Sequence, residues 1–167
     1  MDKKLLLVLV AGIILLDTID SAEQMESCTM ISDDMMGTKK PAFLATITEG
    51  VKLTEQDETV KFDNIVLNRE TAYDSDTGKF TAPVGGLYQF SVTLMADKGE
   101  ELHVTFVKNK EVIVNVYVQK TKRDSATANI PLVLQIGDTV FVQHNLPESQ
   151  KISGGHYSYF SGYYAGL

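Results

Sequence analysis

From Pro41 onward, apolar and polar residues alternate in short runs. Leu102, Val104 and Phe106 are separated by His103 and Thr105; Tyr88, Phe90, Val92 and Leu94 form a second face. Val112, Val114, Val116 and Val118 form a third, with Ile113, Asn115 and Tyr117 between them, and Ile130, Leu132, Leu134 and Ile136 form a fourth. A period of two is the pattern of a half-buried strand, because successive side chains leave a pleated backbone on opposite faces. Turn-forming groups separate the runs: Asp76-Thr77-Gly78, Asp97-Lys98-Gly99, Asn109-Lys110, Ile136-Gly137-Asp138 and Gly154-Gly155. Asn109 is suited to the left-handed conformation of a tight hairpin. Pro131 has no N–H for a ladder and is expected at an edge or a bulge. No window has helical periodicity, so the expected fold is all-β, an antiparallel sandwich or jelly roll. Apolar residues on both faces, as around Val112 to Val118, call for cover from another layer or subunit.

The first forty residues have a different pattern. Lys3 and Lys4 precede an apolar run of 12 residues, Leu5 to Leu16, and small and polar residues follow up to Ala22. This is the order of a secretory signal peptide, expected over residues 1–22. The run is short of the roughly 20 apolar residues that span a bilayer, and no later stretch approaches that length. Residues 23–40 have no useful periodicity and read as an N-terminal arm.

Composition narrows the function. The chain has 167 residues, 44% of them hydrophobic, with 15 Lys+Arg against 22 Asp+Glu and a formal charge of −7. Removing residues 1–22 takes away Lys3, Lys4, Asp2, Asp17 and Asp20 and leaves −6. That excess of acid argues against a nucleic-acid-binding domain, which needs Lys and Arg to neutralise phosphates. The single cysteine, Cys28, excludes a disulfide scaffold or a multi-thiolate zinc site. An odd cysteine in a secreted chain is either a free thiol or an intermolecular bridge. His103, His144 and His156 are widely spaced, and no nucleophile elbow, phosphate loop, HExxH or dinucleotide fingerprint occurs. The chain reads as a binding protein rather than an enzyme.

Phe62, Asn68, Tyr73, Phe80, Gly86, Tyr88 and Phe90 stand at the spacings of one family signature, densest in YDSDTGKFTAPVGGLYQF, Tyr73 to Phe90. In this frame the chain resembles the globular domain of the complement C1q family, over residues 41–167. Ala42 to Ala45 resembles that family's first strand, Leu134 to Val140 its Gly-Asp turn, and Phe160 to Tyr163 its closing strand. Val92 departs from the pattern, standing where the signature usually has an aromatic; it is expected in the core. The resemblance implies a ten-stranded jelly roll of two sheets, shared with the tumour necrosis factor family, and a homotrimer. Cys28, just before such a domain, is then a candidate for a disulfide joining trimers.

Ligand sites in such a fold belong to loops carried on a rigid sandwich, here 97–101, 119–127 and 145–158. Lys120, Lys122 and Arg123 form the only dense basic cluster and are candidates for anionic glycans. His156 and Tyr157, beside Gly154-Gly155, are candidates for carbohydrate contact. The resemblance also implies calcium in some relatives, and Asp124 falls at one such position. Its acidic companion is replaced here by Val116, whereas calcium wants several carboxylates. Asp124 is equally a turn residue, and Asp74 with Asp76 is a second calcium candidate. The reading that follows is a secreted pattern-recognition protein of innate immunity, lectin-like toward microbial or host glycans. The alternatives are a cytokine-like or matrix ligand for a protein receptor, and a calcium- or metal-binding body-fluid protein.

Overall fold

The computed structural model describes residues 40–120 and 124–166; the expected signal peptide, the arm with Cys28, and Lys122 and Arg123 lie outside the described residues. Among the described residues there are twelve strands: β1 Ala42–Thr46, β2 Val51–Leu53, β3 Asn64–Arg69, β4 Tyr73–Asp74, β5 Lys79–Thr81, β6 Gly86–Met95, β7 Leu102–Lys108, β8 Glu111–Val118, β9 Ser125–Leu134, β10 Thr139–His144, β11 Gln150–Ile152 and β12 Tyr159–Gly166. They form two five-stranded sheets, β3-β1-β12-β6-β9 and β4-β5-β10-β7-β8, and a two-stranded ribbon, β11-β2. Neighbouring strands in both sheets run antiparallel. Ten strands in two sheets is the expected jelly roll; the ribbon is an addition to it.

The alternating runs supply the core. Tyr88, Phe90 and Leu94 of β6, Phe106 of β7 and Phe160 of β12 are fully buried between the sheets. The rings interlock: Phe43 stacks on Tyr73 at 5.0 Å and meets Phe160 edge-on at 4.8 Å. Such contacts add to the burial of large apolar surfaces. Val92 is also fully buried, so the departure from the signature is filled by a smaller core residue. Asn109 takes φ 55° in the β7–β8 turn. Pro131 sits on β9, the edge strand of the first sheet.

Two expected faces are corrected. Ile136 lies beyond the end of β9, in the turn to β10, and is 75% exposed. On β8 the register shifts: Val114 opposes Phe106 but Val112 opposes Val107, leaving Ile113 without an opposite residue. This bulge reverses the inside–outside alternation, so Val112 is exposed while Val116 and Val118 are buried.

The outer faces of the sheets differ. On the second sheet Thr105, Val107 and Phe141 are already buried, and the Lys79 ammonium sits 4.7 Å from the centre of the Phe141 ring. On the first sheet Leu67, Leu87, Val133 and Tyr163 are exposed together, linked by the registers Leu44–Leu67, Ala42–Tyr163 and Leu87–Val133.

Candidate functional site

Chain direction sorts the loops to two ends. β1 begins at Ala42, opposite Tyr163 of β12, and Tyr164 N donates to Pro41 O, so Pro41 and Gly166 lie toward one end of the sandwich. The loops after β1, after β6 and before β9 and β12 lie at the other, since Thr46 opposes Tyr159 and Met95 opposes Ser125.

Backbone hydrogen bonds tie these loops together. Ala96 N donates to Asp124 O at 3.1 Å, Asp97 N to Lys151 O at 3.0 Å and Ser153 N to Met95 O at 2.8 Å. Gly155 N donates to Thr48 O at 2.8 Å and His156 N to Ile47 O at 3.0 Å. The buried Ser158 hydroxyl donates to Ser153 O and accepts from Met95 N. Gly154 is required here: a Cβ would stand 2.4 Å from the Glu49 carbonyl carbon, so the backbones pack directly. The described residues of the three expected ligand loops thus converge at one end.

A pocket of about 250 Å³ opens among them, lined by Gly50, Met95, Asp97, Lys151, Ser153, Gly154 and Tyr157. Lys151 Nζ meets Asp97 Oδ2 at 2.7 Å with both side chains partly exposed, while Asp97 Oδ1 accepts from Lys98 N at 2.9 Å. The hydrogen bond to Asp97, then the charge of that carboxylate, holds the Lys151 ammonium above its usual range. Tyr157 is exposed; its ring reaches the place where a Cβ on Gly155 would sit, at 3.4 Å. Asp97, Lys151 and Met95 were not among the expected site residues. They lie at the end of β6, in the loop after it and on β11, and the bridge between Ala96 and Ile152 brings these segments side by side.

The expected residues have distinct placements. Tyr157 lines the pocket. His156, at φ 63°, puts Nδ1 2.8 Å from the Thr46 hydroxyl, which also accepts from Asn64 Nδ2 at 2.9 Å. Its ring therefore helps hold the loop to β1 and β3. Lys120 is exposed in the bend after β8, at the same end. Asp124 Oδ1 accepts from Ser125 N at 2.8 Å, the local bond of a turn residue at the start of β9. Val116, standing where the acidic companion would be, is buried. Asp74 uses Oδ1 on Asp76 N and Oδ2 on the Thr77 hydroxyl, and these bonds, led by that of Thr77, hold its carboxyl below the usual range. Among the described residues no three His, Cys, Asp or Glu side chains gather as a metal set.

The family decides what such a loop cluster belongs to. The sequence profile of the C1q domain matches residues 42–164. The chain belongs to the C1q family. One subcomponent of human complement C1q is 34% identical over 135 residues, 78% of this chain and 52% of that protein. Human complement C1q and tumor necrosis factor-related protein 9A is 32% identical over 105 residues, 62% of this chain and 31% of that protein. The chain therefore spans about half or less of the length of these C1q relatives. Among solved structures, the globular domain of zebrafish complement 1qA protein superposes with a TM-score of 0.59 at 18% identity, covering 75% of this chain and 97% of that one. Murine APRIL gives 0.59 at 13% identity, covering 75% and 99%. At such identities these two establish the shared jelly roll alone. C1q-family domains are binding or structural modules without enzymatic activity. No helix among the described residues is long and apolar enough to cross a membrane.

Proposed function

We propose that this chain is a secreted C1q-domain recognition protein of innate immunity, assembled as a homotrimer, that binds microbial or host glycans through its loop end. The observation that carries this reading is the convergence of residues 97–101, 119–120, Asp124 and 153–158 at the end away from Pro41 and Gly166. A rigid sandwich carrying a cluster of exposed loops is a common way to build a variable binding surface. The uncovered apolar outer face of the first sheet supports assembly, because a monomer rarely leaves a contiguous apolar patch in water. Three copies of Cys28 per trimer cannot all pair within it, so that cysteine is assigned to joining trimers.

A glycan array probed with the purified protein tests the reading. Binding to a restricted set of glycans is the expected result. No binding to any glycan, alongside tight capture by one cell-surface protein, would replace the lectin reading with that of a receptor ligand. Isothermal titration with calcium, comparing wild type with Asp124→Ala, tests the ion: a wild-type heat lost in the variant would make Asp124 a ligand rather than a turn residue.

A further inference from the structure

The pocket beside Tyr157 narrows the ligand class, on the reading of the loop end as a glycan-binding surface. Its walls are mixed in a particular way. Gly50 and Gly154 contribute bare backbone, Met95 and Tyr157 apolar surface, and Asp97, Lys151 and Ser153 polar groups. At about 250 Å³ it lies below the roughly 300–1,000 Å³ of pockets that hold drug-sized ligands, so it suits one small ring.

The ion pair gives the polar specificity. Lys151 Nζ and Asp97 Oδ2 stand 2.7 Å apart. An ammonium has three N–H groups and a carboxylate oxygen two lone pairs, so the pair can take further partners without separating. Two neighbouring hydroxyls on a sugar ring hold their oxygens about one hydrogen-bond length apart, matching that spacing. One such hydroxyl can donate to Asp97 while the other accepts from Lys151. The Tyr157 ring, 55% exposed, offers an apolar face to the C–H side of the same sugar.

Charge argues for a neutral sugar. Asp97 balances Lys151, and the negative charge of Glu100 also acts on Lys151. An anionic sugar would have to draw Lys151 away from Asp97, the carboxylate that lines the pocket. The basic cluster of Lys120, Lys122 and Arg123 calls for the opposite ligand, so the two readings separate by charge. We propose that this pocket is a monosaccharide subsite that takes one pyranose of a neutral glycan, with adjacent hydroxyls on Asp97 and Lys151 and the ring face on Tyr157.

Saturation-transfer NMR on the full chain tests this with methyl α-mannopyranoside, methyl β-galactopyranoside and N-acetylglucosamine. At least one should receive saturation, strongest at its ring C–H protons. Its affinity should fall about tenfold or more in Tyr157→Ala, Asp97→Asn and Lys151→Met, each of these groups being partly exposed, with the thermal midpoint unchanged. Tyr157→Phe should retain binding, because stacking needs the ring and not the hydroxyl. Lys110→Ala, exposed in the β7–β8 turn at the opposite end, should bind as wild type does.

No transfer to any of the three sugars, or equal affinity in Tyr157→Ala and wild type, would overturn the subsite. If the array shows glycan binding that Tyr157→Ala leaves intact, the subsite fails while the glycan reading stands. If wild type binds only sulfated or sialylated glycans and loses them with Lys120→Ala, the site lies on the basic cluster. An array with no binding at all removes both readings.

Discussion

Tyr73 shows what the family signature does at the scale of single residues. Its backbone N–H donates to Asn68 Oδ1 at 3.1 Å, and its carbonyl accepts from Asn68 Nδ2 at 2.7 Å. Its hydroxyl donates to Phe62 O at 3.3 Å and accepts from Phe62 N at 3.1 Å. Three signature positions are thus one interlocked structure, and burial, against the bond to Phe62, pushes the Tyr73 hydroxyl up to about 12. Tyr73→Phe leaves both Phe62 backbone groups buried without that partner. The expected loss is about 1–3 kcal/mol, measured by urea unfolding. Asp138 is a second local clamp. It accepts from Asn109 Nδ2, Gln135 N and Lys108 Nζ, and these bonds, led by that of Asn109, hold its carboxyl at about 2 rather than 3.8. A folded value below the unfolded one stabilises the fold above about pH 4, and that contribution disappears as pH falls through about 2. Thermal midpoints recorded between pH 5 and 2 should therefore fall less steeply in Asp138→Asn than in wild type.

At the scale of elements, the period-two reading placed strands correctly where both neighbours were regular. β6 is the clearest case, with Tyr88, Phe90, Val92 and Leu94 all fully buried. It failed on β8, where the bulge at Ile113 turns Val112 outward. A bulge depends on how two strands meet, so an alternation along one strand carries no mark of it. β12 has a related constraint. Gly162 lies between Phe43 and Phe90 of the adjoining strands, and a Cβ there would come within 2.5 Å of the Phe90 ring. Gly162→Ala forces those rings apart, at a cost of about 1–3 kcal/mol typical of overpacked cores. A lower urea midpoint with an unchanged slope would be the expected signature.

For the whole molecule, the open question is what covers the first sheet. Val133 is 69% exposed and Tyr163 54%, whereas Thr105, Val107 and Phe141 at the centre of the second sheet's outer face are already buried. If three copies meet on this face, native mass spectrometry finds trimers, and Val133→Asp shifts the population to monomers with the fold intact. Trimers of undiminished stability in that variant would place the interface elsewhere. Comparing reduced and unreduced samples reads the role of Cys28 in the same experiment: species above the trimer that vanish on reduction are expected.

Much was legible in the chain itself. Alternation fixes which side chains leave the backbone together, so the strands, most of the inward faces and the all-β class follow from local pattern. The turn at Asn109 and the edge placement of Pro131 follow from the stereochemistry of single residues. The spacing from Phe62 to Phe90 was enough to recognise the family. The candidate site was only partly legible. Tyr157 stood out beside a glycine pair, but Asp97 and Lys151 look like ordinary charged loop residues. Their 2.7 Å pairing exists because Ala96 and Ile152 bridge, and because the β1 and β12 ladder brings Thr46 and Tyr159 to the same end. Such contacts are set by the order of strands in the sheets, which no local periodicity encodes. The acidic charge, by contrast, is fixed by composition alone.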